Sequence, residues 1–144
     1  VILAHELGHH LHKDIPKLIA LQAAMILLGL YLSNAVLKAS IIPLGFQGVS
    51  DVAALPLLFL SLGVFGLIIT PVTNAYSRYV EASADEAAME LTANPRAFVT
   101  AMTRLTNQNL SVADPSRWVE LLFYDHPPYT KRVSLAKRYG LKDW

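Results

Sequence analysis

The stretch AHELGHHLHKD, residues 4–14, sets four histidines and a glutamate within eight positions. His5, Glu6 and His9 form the pattern H-E-x-x-H. On an α-helix, residues i and i+4 share a face with Cβ atoms about 5–6 Å apart, so two imidazole nitrogens can converge on one zinc ion. Glu6 then stands beside the ion, placed to take a proton from water. The chemistry this suggests is metal-assisted hydrolysis. His12 falls near the same face, but about 10.5 Å from His5 along the axis, too far to share a tetrahedral ion. It reads as a helix-end or interfacial residue, and His10, on another face, as a packed or partly exposed one.

A catalytic zinc keeps three protein ligands and an open position, so a third ligand is required. The segment SRYVEASADEAAME offers Glu81 and Asp85, i and i+4 on one helical face. One carboxylate could bind the metal while the other accepts a hydrogen bond from a ligand histidine and fixes its tautomer. The competing interpretation is a solvated face with a local Arg78–Glu81 ion pair, a description that suits Glu86 and Glu90 better. Asp85 stands out among alanines.

These residues need elements to hold them. The run LIALQAAMILLGLYLSNAVL lies between Lys17 and Lys38, and VAALPLLFLSLGVFGLIITPV fills most of an uncharged interval from Asp51 to Arg78. A bilayer core needs about 20 mostly apolar helical residues, and both runs have that length. A buried helix of a soluble bundle usually keeps a polar stripe, and here too few polar residues exist to make one. Residues 18–37 and 52–72 are therefore expected to span a membrane, with KASIIPLGFQGVSD as a short far-side connection. His12, Lys13, Lys17 and Arg78 on the motif side, against Lys38 and Asp51 on the other, put the catalytic side in the cytoplasm.

The remaining chain reads as helical: a helix through AYSRYVEASADEAAMELTA, residues 75–93, another started by Asn94 and Pro95, a short one after SVADPSRW, a rigid turn at YDHPPY, and a last helix stopped by Gly140. The expected fold is all-α, a membrane-embedded helical bundle: a zinc-motif helix over 1–14, two membrane helices, and a helical catalytic region over 74–144.

Composition narrows the function. The 144 residues carry a net charge of +1 with scattered Lys and Arg, which speaks against a nucleic-acid partner. There is no cysteine, so neither disulfides nor thiolate ligands arise. Mean hydropathy is +0.38, concentrated in the two runs.

AHELGHH, two apolar spans, RYVEASAD and DHPPYTKR, in that order, resemble the integral-membrane zinc metallopeptidases, which include the type 1 CAAX prenyl protease and the HtpX-type quality-control protease. The resemblance implies one Zn2+ per chain held by His5, His9 and Glu81, with Glu6 as catalytic base and Asp85 as an outer partner. It implies that His126 and Arg132 face the substrate carbonyl. NQNLSVADPSRWVELLFYDHPP looks closer to the prenyl protease branch, which implies cleavage of C-terminal CAAX-type substrates, prenylated in that branch. The alternative is quality-control proteolysis of membrane proteins. The prenyl protease has further membrane helices before its zinc motif, so the resemblance implies the C-terminal part of a larger enzyme. Partners are then a peptide or protein substrate and the lipid bilayer. A non-catalytic scaffold is less consistent with an intact Glu6, and a metal transporter is less consistent with a motif that precedes the first span.

Overall fold

The computed structural model describes residues 1–140, so the last four residues of the region 74–144 lie outside the described residues. Six α-helices follow one another: α1 (Ile2–His12), α2 (Asp14–Leu44), α3 (Leu55–Thr92), α4 (Pro95–Gln108), α5 (Arg117–Phe123) and α6 (Tyr129–Arg138). A single 3-10 turn, Val52–Ala54, precedes α3. Among the described residues there is no strand. The expected all-α class is the observed one.

Two compact units divide the chain. The first contains Val1–Lys17 and the chain from Pro71 onward, and the second is Leu18–Thr70. In the first, the core is Met89 of α3, Phe98, Val99 and Met102 of α4, and Ala136 of α6. Phe98 and Met102 lie one turn apart, so α4 turns one apolar stripe inward. Its start is built as the sequence suggests. Asn94 Oδ1 accepts from the Ala97 N–H at 3.0 Å, and Pro95 occupies the first turn, where its missing N–H costs nothing. The last helix ends before Gly140, whose φ is +92°.

In the second unit, α2 and α3 pack closely at Gly29, where an added Cβ would come within 2.8 Å of the Phe65 ring. Asp51 ties the connection between them, accepting from the backbone N–H groups of Gln47 and Ala53. Both helices are long and apolar enough to cross a membrane, with mean hydropathies of 1.8 and 2.6 over windows only 6% buried. They therefore turn their apolar side chains outward.

The helices run further than the apolar runs do. α3 passes without a break from the apolar segment 52–72 into the segment that carries Glu81. Pro71 gives up one backbone hydrogen bond, and apolar helices tolerate that loss. The neighbouring Thr70 hydroxyl donates back to the Gly66 carbonyl at 2.7 Å.

Candidate metal centre

α1 places His5 and His9 one turn apart, with their Nε2 atoms 3.2 Å from each other. Glu81 arrives from α3. Its Oε2 lies 3.4 Å from His5 Nε2 and its Oε1 3.4 Å from His9 Nε2. Ligand atoms on a tetrahedral zinc, with bonds of about 2.0–2.1 Å, are separated by about 3.3–3.4 Å. Three neutral or anionic donors at that spacing suit a zinc ion. Among the described residues, His5, His9 and Glu81 are the group of histidines and carboxylates whose ligand atoms converge in this way.

The approach of α3 to α1 depends on a small contact. Gly8 is buried between His5 and His9, and a Cβ there would lie 3.0 Å from the Ala87 methyl and 3.2 Å from the Ala84 Cα. Glycine against two alanines lets the backbones close until Glu81 reaches the histidines.

Each histidine has a carboxylate behind it. His5 Nδ1 lies 2.9 Å from Oδ1 of Asp85, which is fully buried on α3. His9 Nδ1 lies 3.2 Å from Oδ2 of Asp14, also buried, at the start of α2. The sequence pointed to Asp85 but not to Asp14. Asp14 is five residues past His9, a spacing that places the two on different faces of an unbroken helix. The chain breaks at Lys13, whose φ of 54° and ψ of 43° are left-handed, and the break swings Asp14 back.

Arg132, on the first turn of α6, holds two carboxylates of α3, Glu81 and Asp85. Its Nη2 lies 3.2 Å from Glu81 Oε2, its Nε lies 2.8 Å from Asp85 Oδ2, and its Nη1 donates to the Met102 sulfur. The guanidinium, expected to face a substrate, contacts these acidic side chains and also lines the cleft that Glu6 lines. The local Arg78–Glu81 pair is not what the structure contains. Arg78 donates to the carbonyls of Glu120 and Tyr124, pairs with the Glu120 carboxylate at 3.7 Å, and is joined by Asn74, which donates to the Leu122 carbonyl. These bonds fasten α5 and the following turn to α3. His126, in that turn, stays more than half exposed, with Nε2 3.5 Å from Glu81 Oε2 and Nδ1 2.8 Å from Asp125 Oδ1. Asp125 was not legible as a partner from spacing, although adjacency alone makes the contact available.

Glu6 is exposed and, with His5, Glu81, His126 and Arg132, lines a cleft of about 680 Å³ whose other walls include Met102, Leu105 and Phe123. His10 is exposed. His12 is also exposed, with Nδ1 3.3 Å from the Ser83 hydroxyl. Neither joins the cluster.

The electrostatics follow from this crowding. Burial disfavours a charged His5, but the Asp85 and Glu81 carboxylates outweigh it and raise its pKa to about 9. Burial likewise disfavours a charged Glu81, and His5, His126 and His9 outweigh that and lower its pKa. The metal-free cluster holds protons that a metal would displace.

The profile of peptidase family M48 matches residues 1–139. The chain belongs to peptidase family M48. Among relatives of this M48 chain is the "Uncharacterized metalloprotease YhfN" of Bacillus subtilis, 33% identical over 141 residues, covering 95% of this chain and 33% of that protein. A "Protease HtpX homolog" of Streptococcus thermophilus is 28% identical over 159 residues, covering 95% of this chain and 53% of its own length. Another, of Streptococcus gordonii, is 31% identical over 107 residues, covering 61% of this chain and 36% of its own length. The M48 chain thus spans between a third and about half of the curated relatives it matches. No solved structure matches it.

Proposed function

We propose that this chain forms the catalytic part of a membrane-embedded zinc metalloendopeptidase of the HtpX kind. The observation that carries the proposal is the spacing of 3.2–3.4 Å among His5, His9 and Glu81, with Glu6 on the same cleft. The HtpX homologues among its relatives favour the HtpX reading over cleavage of CAAX-type substrates. The two long apolar helices, with their side chains turned outward, suit a lipid bilayer.

In this reading His5, His9 and Glu81 hold the ion, and Asp85 and Asp14 stand behind the histidines. When bound, zinc supplies the Lewis acidity that polarises the scissile carbonyl and makes water a nucleophile near neutral pH. Glu6 takes the proton as water attacks and returns it to the leaving amine. His126 is the exposed donor at the cleft, held through Nδ1 by Asp125, and its Nε2, 3.5 Å from Glu81 Oε2, would turn to the developing oxyanion. Arg132 acts one step away, keeping Glu81 and Asp85 in place.

Glu6→Gln tests this reading. The amide keeps the shape and loses the base. The variant should bind zinc like the parent and lose at least 100-fold in peptide cleavage. His5→Ala, His9→Ala and Glu81→Ala should lose both metal and cleavage. Undiminished cleavage by Glu6→Gln would remove the base assignment.

A further inference from the structure

Asp14 is 3% exposed, and a buried carboxylate is costly unless it is paired. Its environment shows what pairs it. Oδ2 accepts from His9 Nδ1 at 3.2 Å and lies 3.9 Å from His12 Nδ1, while Oδ1 accepts from the Lys17 ammonium at 3.3 Å. Among the described residues its hydrogen-bond partners are the side chains of His9 and Lys17, not the backbone N–H groups of α2. Helix capping therefore does not account for its burial. Lys17 is half exposed, so its charge is shared with solvent, and an exposed pair of that kind contributes little.

The backbone at Lys13 points the same way. Lysine has no intrinsic preference for the left-handed region that Lys13 adopts. Lys13 is the C-cap of α1, and its N–H donates to the His9 and His10 carbonyls. Its effect here is to end α1, restart the chain as α2, and turn the Asp14 carboxylate onto the ring nitrogen of His9 that faces away from Glu81.

From this geometry we propose that Asp14 is the positioning residue of His9, resting on the assignment of His5, His9 and Glu81 as a zinc site. By accepting the Nδ1 proton, Asp14 fixes the tautomer whose Nε2 lone pair points at the shared centre, and it fixes the ring plane. Asp85 stands in the same relation to His5. The two carboxylates reach their histidines from different helices, α3 and α2. The left-handed turn at Lys13 is thus part of the metal centre.

The test uses the full chain in detergent, comparing the parent with Asp14→Asn and Asp14→Ala. Zinc affinity is measured by competition with a chelator, ligand geometry by the visible absorption of the cobalt-substituted protein, and folding by thermal unfolding of the metal-free protein. Asparagine nearly preserves volume and removes the charge, and it decides the matter alone if the alanine variant does not fold. The expected result is a 10- to 100-fold weaker zinc affinity and an altered cobalt spectrum, in variants whose metal-free melting stays close to the parent's. Zinc affinity within twofold of the parent, with an unchanged cobalt spectrum, overturns the proposal, whatever happens to the melting temperature. A parent protein that takes up no zinc overturns the metalloendopeptidase reading itself, and this inference with it.

Discussion

Arg132 and His126 lie six residues apart and differ in what surrounds them. The guanidinium of Arg132 bridges Glu81 and Asp85, a task that suits a planar fork and not a point charge. Arg132→Lys should therefore weaken zinc binding about tenfold or more, although the charge is kept. His126→Ala should instead leave zinc affinity unchanged and lower kcat by on the order of 100-fold. Measuring metal affinity and single-turnover cleavage on both variants separates the two roles, and identical behaviour in both assays would merge them. The proton on His5 gives a second prediction. Because its folded-state pKa is raised from 6.5 to about 9, the stability it contributes to the metal-free protein is complete below pH 6.5 and lost as pH rises through 9. Thermal unfolding of chelated protein should show that decline between pH 6.5 and 9. Calorimetry near pH 7.5, in buffers of different ionisation enthalpy, should show proton release on zinc uptake.

At the scale of elements, the contact of α1 with α3 controls the site. Gly8→Ala adds a methyl 3.0 Å from the Ala87 methyl and 3.2 Å from the Ala84 backbone. The helices must separate by a few tenths of an ångström, and Glu81 moves with α3. Gly8→Ala should weaken zinc affinity several-fold, and Gly8→Val should abolish binding. Paired measurements with Ala87→Gly, which reopens the space, should show partial recovery in the double variant. Much of this was legible from sequence, because the convergence of His5 with His9 and of Glu81 with Asp85 follows from the helical period alone. The encounter of those two pairs needs tertiary packing, although the small residues at 8, 84 and 87 were a usable sign of close approach. Asp14 could not be read in the same way, since helical spacing carries it away from His9 and only the turn at Lys13 returns it. The reach of Arg132 to Glu81, across 51 positions, likewise lies beyond any local pattern.

For the whole molecule, hydropathy was the dependable guide. The two apolar runs are helices long and apolar enough to cross a membrane, with apolar side chains turned outward, and the proposed function sets them in lipid. The chain produced in cells should sediment with membranes and stay there through alkaline carbonate washing. Leu27→Arg or Leu67→Arg, at exposed positions within these runs, should each oppose insertion by about 2.5–3.5 kcal/mol and raise the extractable fraction. Complete extraction of the parent chain by carbonate would remove the membrane assignment. The limits of the helices were less legible than their existence, because the apolar run stops near residue 72 while the helix continues to Thr92.

The continuity of α3 has a consequence for which changes in chain length the protein can accept. Asn74 and Arg78 grip the backbone before the His126 turn, Glu81 faces the histidines, and Asp85 faces both His5 and Arg132. All four sit on one uninterrupted rod, so their relative bearings are fixed by counting. Inserting or deleting a single residue between Arg78 and Glu81 would rotate one group about 100° against the other and shift it about 1.5 Å along the axis. No side-chain rearrangement repairs that error. The interval from 74 to 85 therefore behaves as a ruler that tolerates substitutions but not a change in the number of residues.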